Sequence, residues 1–257
     1  MCKLTFLSEN YVKDADLSII TGTPDGQFPV DNIKDIRTTK VFRSSDNTVE
    51  LLVDLGVTQN IDSFAIVGSS TDGLGFTALT IKGSGSTDFT GSTPITIDLN
   101  QENNFGFKLF TEVNFRYWKL EFTGTGGFTE VSKIFLGKKI QFDENSFSLS
   151  SFRYLNRDTS DVRQNDYEQP FIDIKTRNKE LRGTIQHMNS AEFDLINEIQ
   201  NRHGKREPLW VLTDPEGSSA TDGEFLFSLY CRFTVIRVIS MSGFGLYNVS
   251  MTLKQVG

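Results

Sequence analysis

The chain has 257 residues and a mass of 28.9 kDa, enough for two modest domains that each bury a core. A formal charge of −7 and a pI near 5.0 argue against nucleic acid as a direct partner, because duplex binding needs a basic surface that displaces counterions. No segment is apolar for long enough to cross a bilayer as a helix, and Glu9 comes too early for a secretion signal.

The first half of the chain predicts short strands joined by Gly, Ser and Thr turns. Residues 3–20 indicate an irregular opening segment and residues 31–43 a polar loop. Strands that recur at a spacing of roughly 10 to 15 residues are typical of a β-sandwich or jelly roll. The predicted strands of this half cover residues 48–56, 61–68, 79–85, 95–99, 115–122 and 131–137.

The second half predicts more strands and one helix. Asn189 stands three residues before Glu192, which is the spacing of a capping box, and Gly204 supplies a left-handed stop. The helix is therefore predicted over residues 190–202. Its apolar face, expected to pack on the sheet, consists of Phe193, Ile196 and Ile199. The strands predicted around it cover residues 171–176, 180–188, 207–212, 225–233 and 246–253.

These patterns together predict a mainly β protein of two domains. Residues 1–138 are expected to form an N-terminal β-sandwich jelly roll. Residues 139–257 are expected to form a C-terminal β-sandwich or barrel with one flanking α-helix. Cys2 and Cys231 are far apart and have no metal-ligand spacing, so both are expected to be free thiols, which fits a reducing cytoplasm.

Several segments of the first half follow the order found in the discoidin, or coagulation factor 5/8 type C, galactose-binding-like jelly roll. They include the strand that ends in Val53-Asp54-Leu55-Gly56 and the segment Arg116-Tyr117-Trp118-Lys119-Leu120. The resemblance covers about residues 20–138 and implies a ligand-binding edge made of loops. The candidate ligand-binding residues on that edge are Asp31, Asn32, Asp35, Arg37 and Arg43.

Two features of the chain modify what this resemblance implies. The disulfide that often ties the first and last strands of the family is missing, and few aromatic residues occur in the loops apart from Phe42 and Phe76. Weak or absent glycan binding is therefore expected, with the lobe acting as a spacer or docking surface. Relatives sometimes bind Ca²⁺ in the loop that holds Asp31 and Asp35, which stays open as an alternative.

The second half resembles the tail-tube-like domain of phage distal tail and related baseplate proteins. The resemblance rests on the order strand, helix, Gly204-Lys205-Arg206-Glu207-Pro208-Leu209-Trp210, strand, and a final strand pair. In that family a β-sandwich with a flanking helix forms a ring that continues the tail tube. The resemblance implies a virion protein assembled in the bacterial cytoplasm, with copies of itself in a hexameric ring, tail tube and hub or fibre proteins, and a host surface glycan as partners.

No catalytic constellation is recognisable, and no cofactor or metal is predicted. His187 and His203 are the only histidines, and neither accompanies a nucleophile motif, so both are expected to be structural or exposed. The charged segment 156–168 suits a subunit contact better than a Ca²⁺ loop, and residues 217–223 could form a functional hairpin tip. The residues expected at the oligomer contact are Arg157, Asp161, Arg163 and Asp166.

The sequence thus predicts a protein that works through surfaces and assembly and not through catalysis. The leading hypothesis is a structural component of a long-tailed phage virion, a tail-tip or baseplate ring protein. The alternative is a carbohydrate-binding accessory protein that works through the jelly roll, and a hydrolase ranks third.

Overall fold

The computed structural model describes residues 3–68, 74–101, 104–142, 153–157, 161–164, 170–173, 178–214, 229–241 and 245–256. Within these residues the protein is mainly β with one α-helix, which confirms the predicted fold class. The elements of the first half are β1 Lys3–Asn10, β2 Asp16–Thr21, β3 Phe42–Ser44, β4 Thr48–Val67, β5 Ala78–Ser84, β6 Ile95–Asn100, β7 Phe105–Thr123, β8 Thr129–Val131 and β9 Lys133–Phe142, with 3₁₀ turns Tyr11–Asp14 and Val30–Lys34. Those of the second half are β10 Arg153–Arg157, β11 Asp161–Gln164, β12 Pro170–Asp173, β13 Asn178–Met188, α1 Ser190–His203, β14 Leu209–Asp214, β15 Leu229–Met241 and β16 Tyr247–Gln255.

Two long bent strands, β4 and β7, make the jelly-roll lobe. They pair with each other along most of their length, but the register shifts between Asp54 and Gln59. Before this shift β4 pairs with β2, and after it β4 pairs with β9, so one strand takes part in both layers of the sandwich. Gly56 lies in the bend with a φ of +74°, a conformation that favours glycine. The sequence predicted two strands here because the bend interrupts the alternation.

The space between the two layers is filled by a core of aliphatic and aromatic side chains. Trp118, Phe64 and Phe122 are all fully buried in it. Phe42 and Phe76, the aromatic residues expected in the loops, also belong to this core. Because both rings are covered, neither can stack on a sugar.

The helix of the second lobe begins and ends close to the predicted bounds. The side chain of Asn189 accepts from the backbone N–H of Glu192, and the Glu192 side chain accepts from that of Asn189, which completes the capping box. Ile196 and Ile199 are buried in the second core, whereas Phe193 is half-buried and stacks on Tyr247 at 4.3 Å between ring centroids. The predicted face therefore contacts the sheet.

Strand β1 joins the two lobes, and here the prediction of an irregular opening segment is wrong. β1 pairs with β14 on one side and with β9 on the other, so it lies inside a continuous sheet. Its residues Leu4 and Phe6 are buried in the second core. The division at residue 138 stays a prediction, but the N-terminal strand contributes to the core assigned to residues 139–257. The two strands that pair with β1 lie more than 100 residues later in the chain, so the local sequence does not show that this segment is a strand.

Two remaining predictions concern thiols and membranes. Cys231 is a free, fully buried thiol, and burial raises its pKa. Cys2 lies outside the described residues. Among the residues that the structure describes, no helix has both the length and the apolar character needed to cross a membrane.

Candidate functional site

The predicted ligand-binding loop is held mainly by contacts within the protein. The Asn32 side chain donates to the carbonyl of Val41 at 2.7 Å. The Arg43 Nε donates to the buried carboxylate of Glu130 at 2.7 Å, on the strand directly opposite. The Arg43 guanidinium also lies 4.8 and 5.0 Å from two half-buried phenylalanine rings. These contacts give Asn32 and Arg43 structural roles.

The other three loop residues pair with charged neighbours in sequence. Asp31 contacts the Lys34 ammonium at 3.0 Å. The Arg37 guanidinium donates to both carboxylate oxygens of Asp35, at 2.9 and 2.6 Å, and these bonds hold the pKa of Asp35 well below its usual range. The loop therefore balances its own charges, and its role in ligand binding stays a prediction.

The residues predicted at the oligomer contact lie on two short strands or outside the described chain. Arg157 ends β10, and Asp161 and Arg163 belong to β11, which pairs with β12. Asp166 and the hairpin tip 217–223 are outside the described residues. Their role in assembly stays a prediction.

A pocket at the bent end of the jelly roll is a better candidate for a ligand site than the predicted ligand-binding loop. This corner pocket has a cavity volume of about 600 Å³, and it opens between the β5–β6 hairpin and the bend of β7. Its lining includes no charged side chain. The lining residues are Gly83, Ser84, Gly85, Thr90, Gly91, Ser92, Thr93, Ile95, Phe110, Thr111, Val113, Phe115 and Trp118.

The size and lining of the corner pocket suit a small uncharged ligand. Its volume of about 600 Å³ falls within the range of small-molecule sites. Phe110 and Phe115 are half-buried, so part of each side chain is accessible. Their ring centroids lie 6.3 and 6.0 Å from that of Trp118, so the three rings form one aromatic wall.

Trp118, which lines the pocket, carries a buried donor without a partner, and three hydroxyls of the lining make no side-chain hydrogen bond with the described residues. Trp118 is fully buried, and its Nε1 donor has no hydrogen-bond partner among the described residues. Indole N–H is only a donor, and a buried donor without a partner costs about 1–3 kcal/mol. Within the described residues, the hydroxyls of Ser92, Thr93 and Thr111, which line the pocket, make no side-chain hydrogen bond. The Ser84 hydroxyl, by contrast, donates to the carbonyl of Asp88 at 3.0 Å.

Gly83 allows the aromatic wall to form. A Cβ at this position would lie 2.4 Å from Cδ2 of Phe115, so any larger residue would displace the ring. The alternation of the sequence predicts a strand only from Phe115 onward, whereas β7 begins at Phe105, so the pocket was not predicted. A glycine inside a strand pattern marks a close approach, and Gly83 was the available signal.

A second cleft lies where the lobes meet. Two buried titratable side chains in its lining, Lys133 and His203, contact backbone carbonyls of the protein itself. The ammonium of Lys133 donates to the carbonyls of Asn32, Lys40 and Ser132 at 3.0, 2.9 and 2.7 Å. Burial lowers the pKa of Lys133 to about 8. His203 lies within hydrogen-bond distance, 3.0 Å, of the carbonyl of Ser8. These bonds hold the loop and the helix in place.

The remaining predictions about chemistry concern His187 and metal binding. His187 is exposed on β13, where its backbone N–H donates to the Asn248 side chain at 3.0 Å. Within the described residues, no group of three or more His, Cys, Asp or Glu side chains is placed to hold a metal ion.

No protein-family model and no curated protein matches the chain. Solved structures similar to it include CpGH89CBM32-5 from Clostridium perfringens in complex with GalNAc-β-1,3-galactose, at 13% identity and a TM-score of 0.42, covering 52% of this chain and 99% of that one. The family 32 carbohydrate-binding module of C. perfringens NanJ with galactose has 17% identity and a TM-score of 0.42, with coverage of 53% and 99%. The lectin domain of lectinolysin with Lewis B antigen has 14% identity and a TM-score of 0.44, with coverage of 51% and 97%.

At these identities and TM-scores the likenesses carry no argument about binding. The sandwich of the first lobe is established by its own strand pairing, and nothing in these comparisons points to a phage tail or baseplate.

Proposed function

We propose that this chain is a non-catalytic carbohydrate-binding protein and that the corner pocket holds a neutral sugar. The observation that carries the proposal is the combination of half-buried aromatic rings with free hydroxyls in a pocket without charged side chains. A sugar ring has an apolar C–H face that packs on an aromatic ring and an edge of hydroxyls that needs hydrogen-bond partners. The pocket supplies both kinds of contact.

The pocket is also suited to discriminate among ligands. A charged group would lose its hydration in a pocket that offers no counter-charge, so an uncharged ligand is favoured. Polar groups within a binding pocket select ligands by leaving a poor ligand with unpaired donors and acceptors. The hydroxyls of Ser92, Thr93 and Thr111 are placed to act in this way.

The first experiment is calorimetric titration of the full chain with galactose, N-acetylgalactosamine and N-acetylglucosamine oligomers. We expect saturable binding of at least one of these sugars. Phe115→Ala removes one stacking ring and should weaken binding at least tenfold, or about 1.4 kcal/mol. Thr111→Val removes one hydroxyl at nearly constant volume and should weaken it about fivefold.

Matched controls separate a local effect from general damage. Thr96→Val changes an exposed threonine on β6 that does not line the pocket, and Phe28→Ala truncates a half-buried ring near the other end of the lobe. Both variants should bind like the unchanged protein. Equal losses in Phe28→Ala and Phe115→Ala, or no binding of any sugar in the panel, would rule out the corner pocket as a sugar site.

A second candidate function is a structural role in a phage tail, with the chain forming a ring. The feature that this proposal uses is β1, which lies in the continuous sheet between β14 and β9 and so joins the jelly roll to the second lobe. A fixed projection is what a ring component needs in order to present a lobe at a constant angle. This role is compatible with sugar binding.

Light scattering of the full chain tests the ring. A hexamer of 28.9 kDa subunits is expected under this second proposal. The charge-removing variants Arg157→Ala and Arg163→Ala should lower the measured mass if the predicted contact holds the ring. A strictly monomeric protein at high concentration would exclude self-assembly without affecting the sugar proposal.

A further inference from the structure

A groove beside the corner pocket extends the candidate site. This side groove has a cavity volume of about 360 Å³, and Thr90 on the β5–β6 hairpin lines both the groove and the corner pocket. Unlike the corner pocket, the side groove is lined by charged side chains. Its lining residues are Ile20, Glu50, Lys82, Thr87, Asp88, Phe89, Thr90 and Lys119.

Both lysines of the side groove are already paired. Lys82 contacts the Glu121 carboxylate at 2.9 Å, and Lys119 contacts it at 2.6 Å. Lys119 also lies 3.4 Å from the Glu50 carboxylate. Two ammonium groups therefore face two carboxylates, and this part of the groove is close to neutral.

Asp88 supplies a negative charge that the lysines do not balance. Its carboxylate accepts from the backbone N–H and the hydroxyl of Thr90, at 2.9 and 2.6 Å, and it has no ion pair in the described part of the chain. The two bonds from Thr90 lower the pKa of Asp88, so the carboxylate is ionised at neutral pH. Because Thr90 belongs to both cavities, this charge lies at their junction.

The side groove also offers an apolar surface. Phe89 is half-buried, with its ring 5.8 Å from the Lys119 ammonium, and Ile20 is 49% exposed. The lining of the groove thus offers a sugar unit both an aromatic ring and a carboxylate.

We infer that the ligand is an oligosaccharide of at least two units, with a neutral unit in the corner pocket and a unit that carries a protonated amino group beside Asp88. This inference rests on the proposed function and adds the class of sugar and the direction in which the chain of sugars extends. A carboxylate-bearing sugar would be repelled by the uncompensated charge of Asp88, whereas an amino group would be attracted to it.

Three tetrasaccharides of equal length test the inference by calorimetry with the full chain at pH 6: one of glucosamine, one of N-acetylglucosamine and one of galacturonic acid. The glucosamine tetramer should bind about three to five times more tightly than the N-acetylated one, which is the size expected for one exposed ion pair. The galacturonic acid tetramer should not bind. The advantage of the amino sugar should shrink when NaCl is raised from about 50 to 500 mM, because salt screens exposed charges.

Asp88→Asn removes the charge and keeps an acceptor for Thr90. It should abolish the advantage of the glucosamine tetramer and leave the N-acetylated tetramer unchanged. Asp25→Asn is the matched control, because the Asp25 carboxylate accepts from the backbone N–H two residues later in the same way, but outside both cavities. It should change nothing.

The possible failures are distinguishable. Binding of neutral sugars that depends on Phe115, with no preference for the amino sugar and no effect of Asp88→Asn, overturns this inference and leaves the proposed function intact. Failure of every neutral sugar and every tetramer to bind overturns both. Tight binding of the galacturonic acid tetramer overturns the inference alone.

Discussion

Lys133 shows how one side chain can stabilise several loops at once. Its ammonium donates to three backbone carbonyls that come from the turn Val30–Lys34, from the segment before β3 and from Ser132, the residue before β9. Three donors and three acceptors satisfy a buried charge without a carboxylate partner. This role is not visible in the sequence, because a lysine at the start of a strand usually faces solvent.

His203 links the helix to the first strand, and its charge state should matter. The neutral ring donates from Nε2 to the carbonyl of Ser8, while Nδ1 has no partner in the described part of the chain. Burial lowers the pKa of His203, so below about pH 6.5 the unfolded chain takes up a proton more readily than the folded one. The stabilisation from the neutral ring is therefore complete above this pH and declines as the pH falls toward the lowered pKa.

Urea unfolding at pH 7.5 and pH 5.5 measures this effect. The unchanged protein should lose more of its unfolding free energy between the two pH values than His203→Gln, which keeps a donor for Ser8 and does not titrate. An equal loss in both proteins would show that other groups cause the pH dependence.

At the scale of elements, local signals predicted the helix well and the bent strands poorly. The capping box at Asn189 and the stop at Gly204 act over a few residues, so the sequence alone places α1 to within one residue. β4 pairs with β2 before its bend and with β9 after it. In the same way, β7 pairs with β6 before its bend and with β5 after it. Such partners are distant in sequence, and a pattern read along the chain does not contain them.

The face of α1 should contribute to stability in steps that follow burial. Phe193→Ala removes a half-buried ring stacked on Tyr247 and should cost about 2 kcal/mol, less than the 3–5 kcal/mol of a fully buried ring. Ile196→Ala, at a fully buried position, should cost about 3 kcal/mol.

Urea denaturation of the variants gives these values. Leu195→Ala is the control, because this side chain is on the same helix and 36% exposed, and its cost should stay below that of Phe193→Ala. A larger cost for Leu195 than for Phe193 would mean that the helix presents a different face to the sheet.

At the scale of the whole molecule, composition and alternation were enough to predict a mainly β protein with one helix, but not the way in which its halves join. The predicted ligand residues are polar side chains in a loop, but Asn32 and Arg43 form hydrogen bonds to Val41 and Glu130 of the protein itself. The corner pocket depends on Phe110, Phe115 and Trp118 meeting across a bend. Polarity can be recognised in a sequence, whereas the meeting of distant rings requires the fold.

The position of β1 has a consequence for synthesis. Leu7 pairs with Trp210, which a ribosome makes about 200 residues later. At about 5–20 residues per second, β1 waits roughly 10–40 s before β14 exists. During that time Leu4 and Phe6 have no second core to enter, so the nascent chain carries an uncovered apolar strand that chaperones could bind until β14 has been made.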